Sequence, residues 1–255
     1  ITYKRGMLSR LLYPVANPRF NYDFCKGYYP RIANNSMNGR VSRLLVTPLV
    51  RALNYQHGPH EYLEFLDSFR YPLAGEFSMT HAVLKDLRIP TDWGLEVGIL
   101  MEMKKNYATS HICQVDIADN YDHKHQVVSS EDQAKGLSKM SIDITKAIFK
   151  KLATDGITFS EESLRTTKAT YYRIALDLVE SYRNDALFNG LNYETHEEEM
   201  MVELFAKNIK DAGKTFLEDT DTAPFIPSWR RVSSAIPDIF EQMIEAVEQD
   251  RKEFS

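Results

Sequence analysis

An α/β layer followed by a mostly helical region is the fold class this sequence predicts, on two observations. Between about residues 20 and 126, short β-prone runs alternate with segments of helical apolar spacing, the pattern of strands covered by helices with loops gathered at strand ends. Behind residue 130 the apolar positions recur at helical spacing and no segment alternates as a strand does. The division falls near residue 153, with 1–153 as the α/β part and 154–255 as the helical C-terminal region. At 255 residues the chain is long enough to bury a sizeable core. Hydrophobic residues at 43% and charged residues at 26% exclude disordered and fibrous classes.

Taken in order, residues 1–22 are basic and aromatic, and Asp23-Phe24-Cys25-Lys26-Gly27-Tyr28-Tyr29 is a short strand ended by Pro30. Asn34-Asn35-Ser36-Met37-Asn38-Gly39 is loop chemistry, and Arg40 to Val46 follows with helical spacing. Tyr62 to Phe69 reads as a helix, and Pro72-Leu73-Ala74-Gly75-Glu76-Phe77 as a tight turn into a strand. Met79 to Leu87 and Gly94 to Asn106 read as helices, the second with Lys104 and Lys105 at its carboxyl end, where cations complement the helix dipole. Ile112 to Ile117 alternates like a strand and leads into Asp122-His123-Lys124-His125. Gly136–Leu152, Thr167–Tyr182, Glu194–Ala212 and Ser233–Gln249 read as amphipathic helices, and Phe216 to Pro227 as the longest loop of the helical region.

The charge balance narrows the function classes. With 31 Lys+Arg against 36 Asp+Glu, net −5, there is no basic excess to displace counterions, so no nucleic-acid partner is expected. No run approaches the roughly 18–20 apolar residues of a membrane span, so no membrane partner is expected either. The two cysteines, Cys25 and Cys113, lie in predicted strands, which suits buried thiols in a reducing, cytoplasmic setting. Residue 1 is Ile, with neither an initiator Met nor a helix-start signal, and the chain reads as a fragment.

Three constellations carry chemistry. In Asn38-Gly39-Arg40-Val41-Ser42 the glycine permits close backbone approach, the helix start offers free N–H groups, and Arg40 and Ser42 add a charged fork and a hydroxyl. That is a pocket for a phosphate or carboxylate, or else an ordinary helix entry with a solvated arginine. In Asp122-His123-Lys124-His125, alternating residues leaving a strand end can send one imidazole to a metal and the other to a substrate, or stay in a polar turn. In Asp92-Trp93-Gly94-Leu95-Glu96, Glu96 falls in the first turn of a helix, where it complements the dipole or accepts from substrate hydroxyls beside Trp93. Asp219-Thr220-Asp221 has the spacing of a metal-binding pair but lacks a preceding apolar strand, and reads as solvated loop. Glu197-Glu198-Glu199 reads as a helix's outer face or acidic start.

In sequence, Asp23 to Tyr29, Asn38-Gly39-Arg40-Val41-Ser42, Tyr71-Pro72-Leu73-Ala74-Gly75-Glu76-Phe77, Trp93-Gly94-Leu95-Glu96-Val97-Gly98 and Asp122-His123-Lys124-His125-Gln126 closely resemble the glucosyl-3-phosphoglycerate synthases. The resemblance covers residues 8–153, and the helical tail in character. It implies a GT-A-like (Rossmann-like) retaining glycosyltransferase, represented here by its acceptor-side half. The implied reaction moves glucose from a nucleotide-sugar donor, UDP-glucose in preference, to the 2-hydroxyl of 3-phosphoglycerate, with a divalent cation, Mg2+ or Mn2+. Carried over residue by residue, Gly39, Arg40 and Ser42 match the phosphoglycerate-binding loop, and Ser42 stands where threonine is frequent. His123 matches the histidine completing the metal site, Glu96 a glutamate touching the transferred sugar, and Leu73 the residue whose carbonyl lies beneath the reacting centre. Ala74, Gly75 and Trp93 are expected among the substrate-binding residues beside them. His125 departs from an asparagine found in some members at an acceptor-contacting position.

The family's nucleotide-binding half, with its strand-borne D-x-D motif, lies upstream of the block at residue 23 and is absent from this chain. The fragment alone is therefore expected to be inactive. Two rival readings stand: mannosyl transfer from GDP-mannose to the same acceptor, and a non-catalytic binding or oligomerisation module. Aromatics behind residue 153, including Tyr171, Tyr172, Phe188 and Phe240, suit the interface of a homodimer as well as a core.

Overall fold

The structure, a computed structural model, describes residues 4–119, 130–218 and 225–254. It opens with α1 (Met7–Ala16), β1 (Phe24–Tyr28) and a two-stranded hairpin, β2 (Ile32–Ala33) and β3 (Ser36–Met37). A π-helical turn, Val41–Val46, leads directly into α2 (Thr47–His57) and then α3 (Glu61–Asp67), β4 (Phe77–Met79), α4 (His81–Asp86), α5 (Leu95–Asn106) and β5 (Ile112–Asp116). The helical region comprises α6 (Ser130–Thr154), α7 (Glu161–Phe188), α8 (Thr195–Glu218), α9 (Trp229–Ala235) and α10 (Ile239–Glu253).

The sheet has the order β4-β1-β5, with β1 parallel to β5 and antiparallel to β4. Cys25 is the register partner of Cys113, and both thiols are free. One face of the sheet carries α1, whose Met7 joins Tyr29, Ile117 and Ala118 in a small apolar cluster. The other face, through Phe24, enters the main core. That core runs without a break from Leu44, Leu49 and Tyr62 through Val97 and Phe149 to Tyr171 and Phe205. The helical region thus closes the core of the α/β part. Two bonds pin α7 to it: Tyr171 Oη donates to the buried carbonyl of Leu44 at 2.6 Å, and Thr167 Oγ1 donates to Gln56 Oε1 at 2.6 Å. Residue 153, the expected boundary, lies at the carboxyl end of α6.

Most expected elements are present within a few residues, and three differences have physical causes. The stretch Asn34–Gly39, read as loop, holds the turn and second strand of a hairpin, and its turn residues Asn34 and Asn35 take φ of 50° and 57°, the paired left-handed conformation of a type I′ turn. The segment Met7–Ala16, read only as basic and aromatic, is a helix that tolerates Pro14. The single helix expected over 233–249 is two, α9 and α10, because Pro237 cannot donate within a helix. Among the described residues no helix is long and apolar enough to cross a membrane.

Candidate functional site

β1 and β5 end on the same side, the edge of a parallel pair where ligands bind in open α/β sheets. There, after β1, lies a cavity of about 300 Å3. Its walls are the Tyr29-Pro30-Arg31 exit from β1, the Met37-Asn38-Gly39 approach to the π-helical turn, Ser42 and Arg43 on that turn, and Arg70-Tyr71. Among the described residues three arginines and no carboxylate line it, and Arg31 and Arg70 give it a positive field.

Each wall is fixed locally. Gly39 has φ of +78°, a conformation that strains any side chain, and the Gly39 carbonyl accepts from the Arg43 N–H at 3.0 Å to start the turn. Asn38 N–H donates to the carbonyl of Arg31 at 2.7 Å, closing hairpin and loop onto the cavity. Arg31 donates to Tyr71 Oη, with its guanidinium 5.1 Å from that ring's centroid. Arg70 donates to Tyr28 Oη at 3.0 Å and lies 4.7 Å from that ring. Among the described residues the side-chain partners of Arg31 and Arg70 are phenols, which leave their charge uncancelled, as an anion needs. Burial pushes the Tyr71 phenol upward in pKa, Arg31 pulls it down, and Glu76 and Glu96 push it up again. Burial, with Glu76 beside it, also raises that of Tyr29, whose hydroxyl donates to Glu76 Oε2 at 3.2 Å.

Of the loop residues expected to hold an anion, Gly39 and Ser42 line the cavity, and Ser42 is buried. Arg40 is elsewhere. Its Nε donates to Glu198 Oε1 at 2.6 Å and its Nη2 to Glu197 Oε2 at 2.9 Å, both on the first turn of α8. Arg43 reaches Glu198 Oε2 at 2.9 Å and bonds the carbonyls of Asn38 and Met37. Glu198, expected on a helix's outer face or at its acidic start, does stand in the first turn of α8, but it is only 3% exposed and is the buried anchor of two arginines.

Glu96 stands in the first turn of α5, as expected, and its charge reaches both Tyr71 and Lys26. Lys26, on β1, is 1% exposed and its Nζ lies 5.4 Å from the Phe77 ring centroid. Burial lowers its pKa to about 8, against the pull of Glu96 and Glu76. Trp93, half exposed, precedes α5. Leu73 is half-buried against the main core, Ala74 is buried, and Gly75 is exposed in the turn before β4. His123 and His125 lie outside the described residues, as do Asp219 and Asp221. Among the described residues no three His, Cys, Asp or Glu side chains form a metal-binding group.

Sequence reasoning missed Arg31, Arg70, Tyr71 and Lys26. The available signal was position: Arg31 leaves a strand end two residues after Tyr29, and Arg70-Tyr71 precedes the glycine-containing turn.

No protein-family model matches the chain. It is 42% identical over 253 residues, 99% of its length, to a glucosyl-3-phosphoglycerate synthase of Persephonella marina. It is also 42% identical over 258 residues, 100% of its length, to one of Methanococcoides burtonii. The chain covers 62% and 63% of these two relatives, under two thirds of their length. Among solved structures, glucosyl-3-phosphoglycerate synthase of Mycobacterium tuberculosis with Mn2+, UDP-glucose and phosphoglyceric acid is 20% identical, with a TM-score of 0.46, over 63% of this chain and 48% of that one. Mannosyl-3-phosphoglycerate synthase of Rubrobacter xylanophilus is 24% identical, with a TM-score of 0.49, over 62% and 45%. Along its whole length, then, this chain is similar to glucosyl-3-phosphoglycerate synthases.

Proposed function

We propose that this chain is the acceptor side of a retaining GT-A glucosyltransferase that moves glucose from UDP-glucose to the 2-hydroxyl of 3-phosphoglycerate. The observation that carries the reading is the cavity at the end of β1, lined among the described residues by three arginines and no carboxylate, in a chain 42% identical to glucosyl-3-phosphoglycerate synthases. The acceptor is a compact trianion near neutral pH, and its phosphate suits a glycine-fronted helix entry flanked by guanidinium groups.

In this reading Arg31 and Arg70 are the direct phosphate ligands, with Gly39 and Ser42 completing the cradle. Arg40, carried over as an acceptor contact, acts through the Glu198 clamp that holds α8 against the loop. Fixing the acceptor in this way converts a bimolecular encounter into a positioned one. Glu96 accepts from sugar hydroxyls beside Trp93, the turn at Leu73-Ala74-Gly75 lies under the reacting centre, and His125 meets the acceptor. In a same-face reaction the departing diphosphate takes the acceptor's proton, so no protein nucleophile is needed. The described residues form no metal site. His123 is this chain's candidate ligand for the Mg2+ or Mn2+ that would offset leaving-group charge. The protein works in the cytoplasm, in keeping with two unpaired thiols, and as a homodimer.

Calorimetric titration with 3-phosphoglycerate and with unphosphorylated glycerate tests the cavity, and glucose transfer by the protein carrying this chain tests the reaction. Losing one charge-assisted contact of about 1.5–3 kcal/mol weakens binding about 10- to 100-fold. Arg31→Ala and Arg70→Ala should each do so for the phosphorylated acceptor alone. Equal binding of glycerate, or undiminished binding by both variants, overturns the assignment.

A further inference from the structure

We propose that the acidic helix α10 of a second copy of this chain seats in the groove between α7 and α8. The groove has a volume of about 990 Å3 and an apolar floor that includes Leu164, Tyr172, Ala206 and Leu217. Its floor is formed by close approach: a Cβ on Gly213 would stand 2.9 Å from Leu164 Cδ1, so glycine lets the helices meet there. Five cations rim it. Arg165 and Lys214 are matched within their own helices by Glu161 at 3.3 Å and Glu218 at 3.8 Å. Lys168, Lys207 and Lys210 have no ion pair among the described residues, although Glu203 shares the rim.

α10 is the complement of this surface. Phe240, Met243, Ile244 and Val247, at i, i+3, i+4 and i+7, form one apolar stripe, and each is between 45% and 61% exposed. Phe240 packs on Trp229 of α9 with ring centroids 5.4 Å apart, and the rest of the stripe, left exposed, marks an interaction surface. The same helix carries Glu241, Glu245, Glu248, Asp250 and Glu253 against only Arg251 and Lys252, and none of its acids has an ion pair among the described residues. Two copies of α10 packed against each other would bring like charges together, whereas the groove offers opposite ones. The lengths also agree. The groove's wall on α8 runs from Glu203 to Glu218, and α10 has fifteen residues; at 1.5 Å per residue each spans about 22 Å. Since each copy has one helix and one groove, reciprocal seating about a two-fold axis closes a dimer.

The inference rests on the homodimer proposed above and deepens it. Sedimentation velocity on the full protein over a concentration series reads it, with three variants. Lys207→Glu/Lys210→Glu and Glu245→Lys/Glu248→Lys should each weaken the dimer at least about tenfold. The protein carrying all four changes should recover to within about threefold of the parent. A dimer indifferent to both reversals keeps the homodimer and overturns this seat. A dimer sensitive only to the helix reversal, without recovery in the fourfold variant, assigns α10 to self-pairing and also overturns it. A parent that stays monomeric up to about 100 µM, whether α10 folds onto its own groove or onto another acidic-helix acceptor, overturns the dimer and the seat together.

Discussion

Glu198→Ala should be the most costly single change at the junction of the two regions. Glu198 is 3% exposed and accepts from Arg40 Nε at 2.6 Å while pairing with Arg43 Nη2 at 2.9 Å. Breaking a buried pair by removing one partner costs about 3–5 kcal/mol, because the remaining charge stays buried. Here the cost should sit at the low end. Arg40 is 38% exposed and retains Glu197, and Arg43 retains the carbonyls of Asn38 and Met37. About 3 kcal/mol in a chain of this size corresponds to a Tm lowered by about 6–12 °C. Glu197→Ala, which removes an exposed partner, should cost at most about 1 kcal/mol. Thermal unfolding by circular dichroism measures both. If Glu198→Ala melts within about 2 °C of the parent, the clamp does not hold α8 to the anion loop, and Arg40 loses the positioning role given to it.

Two further changes probe the packing beneath the site. In α5 a Cβ on Gly98 would collide with Pro90 Cγ, so Gly98→Ala should destabilise by about 2 kcal/mol despite alanine's higher helix propensity; a more stable variant in urea unfolding would contradict the close approach. Lys26 has a folded pKa of about 8 against an unfolded value near 10.5, so between those values the unfolded chain binds more protons and folding stability rises with pH. Below pH 8 the burial penalty is fully present, on the order of 3 kcal/mol. Lys26→Met should therefore be more stable than the parent at pH 7, with the difference shrinking as pH approaches 10. A difference that is constant with pH would remove the desolvated ammonium from the account.

Local signals in the sequence carried much of this structure. The β-prone run Asp23–Tyr29 and the alternation at Ile112–Ile117 predict two strands, and Gly39 before Arg40 to Val46 predicts a glycine-containing loop that feeds a helical segment. What stayed hidden depends on contacts between distant residues. Arg40 follows the glycine and looks like the anion ligand, but Glu198, 158 residues later, claims its guanidinium. Arg31 and Arg70 are 39 positions apart, and only the hairpin and the turn after α3 bring both to one cavity. Nothing local marks Lys26 as buried, and its burial beside Phe77 comes from the fold.

Titration of the chain with 3-phosphoglycerate, beside its Arg31→Ala and Arg70→Ala variants, tests the central claim most directly. The account predicts one site on the parent, weakened about 10- to 100-fold by either substitution, with Arg40→Ala weakening it less. Binding that survives both substitutions, or is lost only with Arg40→Ala, would contradict it.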